Sequence, residues 1–251
     1  MTRDEAVKKV CVALDVPDSE SACELVRRLR THVGFFKIGM ELYNAEGPSV
    51  IRALTSLGAK IFLDLKFHDI PNTVAGASRI VAPLGVSIFN VHASGGIEMM
   101  RASLKAASDS TAKAGVPRPR IIAITVLTSI DDETLKTINQ SEMSVSKQVE
   151  HLARMTKEAG LDGVVASPQE IRIIRSACGP NFLIVTPGVR PAGGDAGDQK
   201  RFATPAGAIQ AGADILVIGR PITAAKDPVK AAEGILEEIQ SVSVNISTTG
   251  H

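Results

Sequence analysis

Short apolar, β-branched runs recur along the chain at near-regular intervals. They read VCVALDV (10–16), FFKIG (35–39), KIFLDL (60–65), VSIFNVH (86–92), IIAITVL (121–127), DGVVAS (162–167), FLIVTP (182–187) and ADILVIG (213–219). The runs are almost continuously apolar rather than alternating. That is the pattern of strands covered on both faces, and such strands are usually parallel. Between them the spacing turns helical. Asp18 is placed to cap a helix carrying Ala22, Leu25, Val26 and Leu29 on one face. Pro48 falls at a first-turn position and Gly58 just past the end of a second helix. Thr204-Pro205 opens a third that Gly212 stops. Asp227-Pro228 opens the last, with Val229, Ala232, Ile235, Leu236 and Ile239 sharing a face. Strand followed by helix, eight times in roughly 250 residues, predicts an α/β fold, a single (β/α)8 TIM barrel. An open doubly wound sheet is the alternative. No linker interrupts the series, so residues 1–251 read as one catalytic domain, with a frayed Ser/Thr-rich tail over about 241–251. The least regular stretch is 187–204, PGVRPAGGDAGDQKRFAT; a loop this long in a compact fold is usually functional or mobile.

Composition narrows the classes. Hydrophobic residues are 44% and charged residues 22% of 251, which excludes a disordered chain. Lys and Arg number 28 against 27 Asp and Glu, so nothing favours nucleic acid or a polybasic membrane surface. Aromatics are 3%, with no Trp and one Tyr, which disfavours a base-stacking surface. Cys11, Cys23 and Cys178 form no CxxC pair and no Cys/His cluster, so neither a disulfide framework nor a zinc site is signalled. With no signal-like apolar stretch in MTRDEAVKK and no unbroken apolar run long enough to span a bilayer, a cytoplasmic location is expected.

In such a barrel the chemistry sits where strands exit. Asp15, Lys37, Asp64, Lys66, His68, Asp69, His92, Thr128, Ser167, Arg190 and Arg220 all fall at or near strand exits. The densest cluster is DLKFHD, 64–69. Asp64 and Lys66 lie two apart, so on a regular strand both face the same way and Leu65 the other. A buried, self-neutralising Asp–Lys pair would be purely structural. Asp15 and Lys37 at the two preceding exits weigh against that reading. A Lys flanked by carboxylates suits a general acid, or a cation facing a developing anion, better than a Schiff-base nucleophile. Gly188 and Arg190 follow the seventh run, and Gly219 and Arg220 the eighth. Those two loops are the usual phosphate-gripping pair of this fold, and Arg offers a fork that fits phosphate oxygens. Gln199 in the long loop is a further amide donor for the same phosphate. His68 is expected to support its neighbours, His92 to be a satisfied rim histidine as readily as a ligand, and no metal triad is spaced correctly.

These segments together resemble the orotidine 5′-phosphate decarboxylase family. DLKFHDIPNTV (64–74) is the most specific, joined in order by ALD (13–15), FKIG (36–39), NVHASGG (90–96), VLTS (126–129), TPGVRP (186–191) and IGRPIT (218–223). The resemblance implies a cofactor-free, metal-free enzyme that turns orotidine 5′-monophosphate into uridine 5′-monophosphate and CO2, working as a homodimer of barrels. It implies that Asp15 and Lys37 hold the ribose and that Asp64 and Lys66 face the pyrimidine carboxylate and C6. Asp69 and Thr73 would reach the partner's site. Thr128 would contact the pyrimidine, with Ser129 beside it. Arg190, Gln199, Gly219 and Arg220 would bind phosphate. Metal-dependent sugar-phosphate decarboxylases and aldol-type synthases share the Asp-x-Lys-x-x-Asp strand and are the nearest alternative.

Overall fold

The computed structural model describes residues 1–140, 142–191 and 203–242. The eight strands are β1 (Val10–Ala13), β2 (Phe35–Ile38), β3 (Ile61–Phe67), β4 (Ile88–His92), β5 (Arg120–Ile124), β6 (Gly163–Val165), β7 (Leu183–Thr186) and β8 (Ile215–Ile218). They pair in chain order, all parallel, and β8 closes on β1, so the barrel replaces the open-sheet alternative. All eight apolar runs become strands. Most are trimmed at their C-terminal ends, where the chain leaves the ladder and turns toward the next helix.

Alternation along each strand divides the apolar residues into two layers. Cys11, Phe62, Ile88, Ile122, Val185 and Val217 fill the barrel interior. Phe36, Ile38, Leu63, Phe89, Ile184 and Leu216 point outward and pack under the helices. The interior is tight: a Cβ on Gly163 would overlap the carbonyl oxygen and Cβ of Leu183 on the neighbouring strand.

The helix ends follow the sequence signals. Asp18 accepts from the Ser21 N–H and starts Ser19–Leu29; Thr204 accepts from Gly207 and starts Pro205–Ala211; Asp227 accepts from Val229 and Lys230 and starts Pro228–Gln240. Gly212 closes the second of these in the left-handed conformation, at φ 110°. Pro48 sits one residue earlier than expected: it is the N-cap of Ser49–Ser56, with helical φ and ψ but no side-chain cap. Residues 243–251, most of the expected tail, lie outside the described residues. Among the described residues no helix is long and apolar enough to cross a membrane.

Candidate active site

The site is built at the C-terminal end of β3, where the strand stops being regular. Its register against β4 shifts between Leu63 and Phe67, and Lys66 sits at φ 56°. A non-glycine residue in the left-handed region costs on the order of 1–3 kcal/mol and persists only where its surroundings enforce it. Here the Lys66 N–H donates to the Asn90 side-chain oxygen at 2.8 Å. Asp64 and Lys66 do meet, with Nζ to Oδ1 at 2.9 Å. Simple two-residue alternation is not the reason, as the sequence pattern suggested; the backbone bulges and turns between them.

Asp64 is the hub. Besides Lys66 it takes the Lys37 ammonium at 3.5 Å on Oδ2 and the Asn90 amide at 2.6 Å on Oδ1. Lys37 in turn reaches Asp15 at 3.2 Å. The result is an alternating chain, Asp15–Lys37–Asp64–Lys66, formally neutral and running from exposed to buried and back to half-buried. The side chains of Lys37 and Asp64 are each 12% exposed, against 60% for Asp15 and 27% for Lys66. Gly39 leaves room for this: a Cβ there would stand 3.0 Å from the Lys37 nitrogen.

Burial alone would raise the Asp64 carboxyl. The Lys37 and Lys66 ammoniums and the hydrogen bonds from Lys66 and Asn90 reverse that and hold it below the ordinary carboxylate value. Burial likewise disfavours charged Lys37, but Asp64 and Asp15 prevail and its pKa is raised. Both groups are therefore kept ionised at neutral pH, as fixed charges facing a cavity.

That cavity, of about 200 Å3, is lined by Lys37, Asp64, Lys66 and Thr128, with Val126 and Pro187 among its apolar walls. Thr128 is thus brought to the charged cluster as expected, whereas its neighbour Ser129 does not line the cavity. On the far side of the mouth, Gly188 takes φ 74° and Arg190 is half-buried. The Arg190 N–H donates to the Ala203 carbonyl at 3.0 Å, and Val189 bridges to Ala203, so the two ends of the long loop are pinned together. Gly219 lies beside Asp15, 3.6 Å separating a notional Cβ there from Oδ2, and Arg220 opens the short helix Arg220–Thr223 on the exposed face. Gln199 lies outside the described residues.

Asp69 and Thr73 are not brought to this cavity within the chain. Both are exposed, Asp69 just before the helix Pro71–Val81 and Thr73 in its first turn, and Asp69 accepts from the N–H of its neighbour Ile70 at 2.6 Å. His68 and His92 stack on one another with centroids 5.1 Å apart. Burial, with the His68 and Lys66 charges nearby, pushes the His92 pKa down to about 4, so the ring is neutral at pH 7. Ser167 has a local role: it is buried and caps a short turn by accepting from the Gln169 N–H. Among the described residues no group of three or more His, Cys, Asp or Glu is placed to hold a metal ion.

Sequence reasoning missed Asn90. Its signal was available: an amide in the apolar run SIFNVH is a buried polar group that needs partners. The residue is fully buried, and its side chain satisfies both an Asp64 oxygen and the Lys66 N–H.

A closed parallel barrel with paired acids and ammoniums at its C-terminal mouth has the layout of a barrel enzyme. The sequence profile of the orotidine 5′-phosphate decarboxylase / HUMPS family matches residues 8–235, and the chain belongs to this family of enzymes. It is 55% identical over 242 residues to the orotidine 5′-phosphate decarboxylase of Moorella thermoacetica, covering 96% of each chain. It is 52% identical to that of Geobacter sp. strain M21, over 95% of this chain and 99% of the relative. Among solved structures, the orotidine 5′-phosphate decarboxylase of Lactobacillus acidophilus superposes with a TM-score of 0.81 at 41% identity, over 92% of this chain and 99% of that one.

Proposed function

We propose that this chain decarboxylates orotidine 5′-monophosphate to uridine 5′-monophosphate in pyrimidine synthesis, with Lys66 delivering a proton to C6. The observation that carries the reading is the Lys66 ammonium, held 2.9 Å from Asp64 at the wall of the cavity. When the C6–carboxylate bond breaks, CO2 departs and the electron pair stays on C6 in the plane of the ring, where it is poorly delocalised. Lys66 gives its proton to that carbon and regains one from water.

Enzymes lower barriers by about 8–23 kcal/mol, whereas one charge pair at about 4 Å and an effective dielectric near 20 gives roughly 4 kcal/mol. The ammonium alone is therefore insufficient. The remainder comes from groups fixed before reaction and from binding the non-reacting ribose and phosphate. In this reading Asp15 and Lys37 hold the ribose, Asp64 faces the substrate carboxylate and Thr128 contacts the pyrimidine. Arg190, Gln199, Gly219 and Arg220 bind the phosphate.

The working unit is a homodimer in which Asp69 and Thr73 complete the partner's site. Their exposure, beside Ile70 and Ile80, which are 66% and 64% exposed on the same segment, supports a subunit face there. Together Lys66, Asp64, Lys37 and the partner's copy of Asp69 form the reacting set. The whole chain acts as one catalytic domain in the cytoplasm and takes no cofactor or metal. The test is loss of orotidine 5′-monophosphate absorbance with no added cofactor and excess EDTA. Undiminished turnover is expected; loss of activity restored by Mg2+ would move the assignment to the metal-dependent synthases and decarboxylases.

A further inference from the structure

We propose that Asn90 is a positioning residue for this reaction: its carboxamide sets both the left-handed backbone at Lys66 and the orientation of the Asp64 carboxylate. The inference rests on the reading above and assigns a role to a residue that reading does not use. Asn90 lies on β4, beside the bulge in β3, and is completely buried. Its oxygen accepts the Lys66 N–H at 2.8 Å and its nitrogen donates to Asp64 Oδ1 at 2.6 Å. Lys66 Nζ meets the same Asp64 oxygen at 2.9 Å. One amide therefore clamps the main chain of one reacting residue and the side chain of the other.

The geometry explains why an amide stands there. The Lys66 N–H has turned out of the ladder with the φ of 56° and needs an acceptor inside the barrel. Asp64 needs a donor that leaves its charge intact. Only a group with both functions satisfies both demands: Leu offers neither, and Ser is shorter than the span. An ionised Asp accepts but places a second carboxylate against Asp64. If Asn90 is removed, the Lys66 N–H loses this acceptor, the costly φ is no longer held by it, and the ammonium shifts relative to the cavity. A displacement of about 1 Å costs on the order of 100-fold in rate.

Asn90→Asp, Asn90→Ala and the parent enzyme are compared for kcat, KM and melting temperature, with the kcat ratio of variant to parent followed against pH. The charged and titratable groups around position 90 are Asp64 and Lys66 on β3, Lys37 on β2 beyond Asp64, and His92 on β4 stacked on His68; the facing β5 partner, Ile122, is apolar. In both variants kcat falls about 100-fold near neutral pH while KM stays within a few-fold, because the ribose and phosphate contacts remain. For Asn90→Asp the ratio rises as pH falls. Two carboxylates in contact share a proton with a raised pKa, and the neutral acid restores the donor that the amide supplied.

Both variants within two-fold of the parent kcat would overturn the proposal. So would a pH-independent ratio for Asn90→Asp accompanied by a loss of melting temperature and a matching rise in KM, which is the mark of a merely structural residue. A parent enzyme with no turnover would instead overturn the decarboxylase reading itself, so the two failures are distinguishable.

Discussion

Lys66 combines an ammonium held 2.9 Å from Asp64 with a main chain in the left-handed region, at φ 56°. The acid–base alternation at Asp15, Lys37, Asp64 and Lys66 was visible in the chain as charges at the exits of three successive runs. How Asp64 and Lys66 meet was not visible, because a positive φ at a lysine is enforced by a distant amide rather than by local preference. The stacked histidines give a pH prediction at the same scale. The unfolded chain binds a proton on His92 near the ordinary pKa of 6.5, the folded chain only near 4. Between those values the unfolded state holds more protons, so acidification from 6.5 to 4 destabilises the fold, and further acid adds nothing from this group. Asp64 adds to the acid sensitivity, since its depressed carboxyl contributes stability that disappears only when pH falls through its folded value. Melting temperature against pH is therefore expected to drop less between pH 6.5 and 4 in His92→Gln than in the parent. An identical slope in the two would remove His92 from the account.

At the scale of elements, strand and helix order were legible because burial on both faces leaves a run apolar throughout, and because Asp18, Thr204 and Asp227 cap helices with their own side chains. What escaped was irregular pairing. The bulge in β3 depends on which β4 residue lies opposite, and a one-dimensional pattern does not carry that. Close strand approach is equally hidden. Gly163 looks like an ordinary glycine in DGVVAS, yet its missing Cβ is what lets β6 lie against Leu183. Gly163→Ala is expected to cost about 1–3 kcal/mol through overpacking, read as a lower denaturation midpoint at unchanged slope. Stability equal to the parent would mean that the two strands separate freely.

For the whole molecule, the closed barrel brings the exits of its eight strands, from Asp15 after β1 to Arg220 after β8, to one mouth. Asp69 and Thr73 are the exception, since closure of the barrel leaves both exposed and outside the cavity. Sequence resemblance alone assigned them a role, and in the proposed homodimer that role lies in the partner's site. Mixing Lys66→Ala with Asp69→Ala chains under subunit exchange is expected to restore part of the lost activity, since hybrid dimers contain one site with both residues intact. No recovery would make each barrel self-sufficient.

The central claim, proton delivery by Lys66, is tested most directly by measuring CO2 release and nucleotide affinity side by side in Lys66→Ala. The account predicts that release from carboxyl-labelled orotidine 5′-monophosphate disappears while the product nucleotide still binds within a few-fold of the parent. Release at the parental rate from that variant would contradict it.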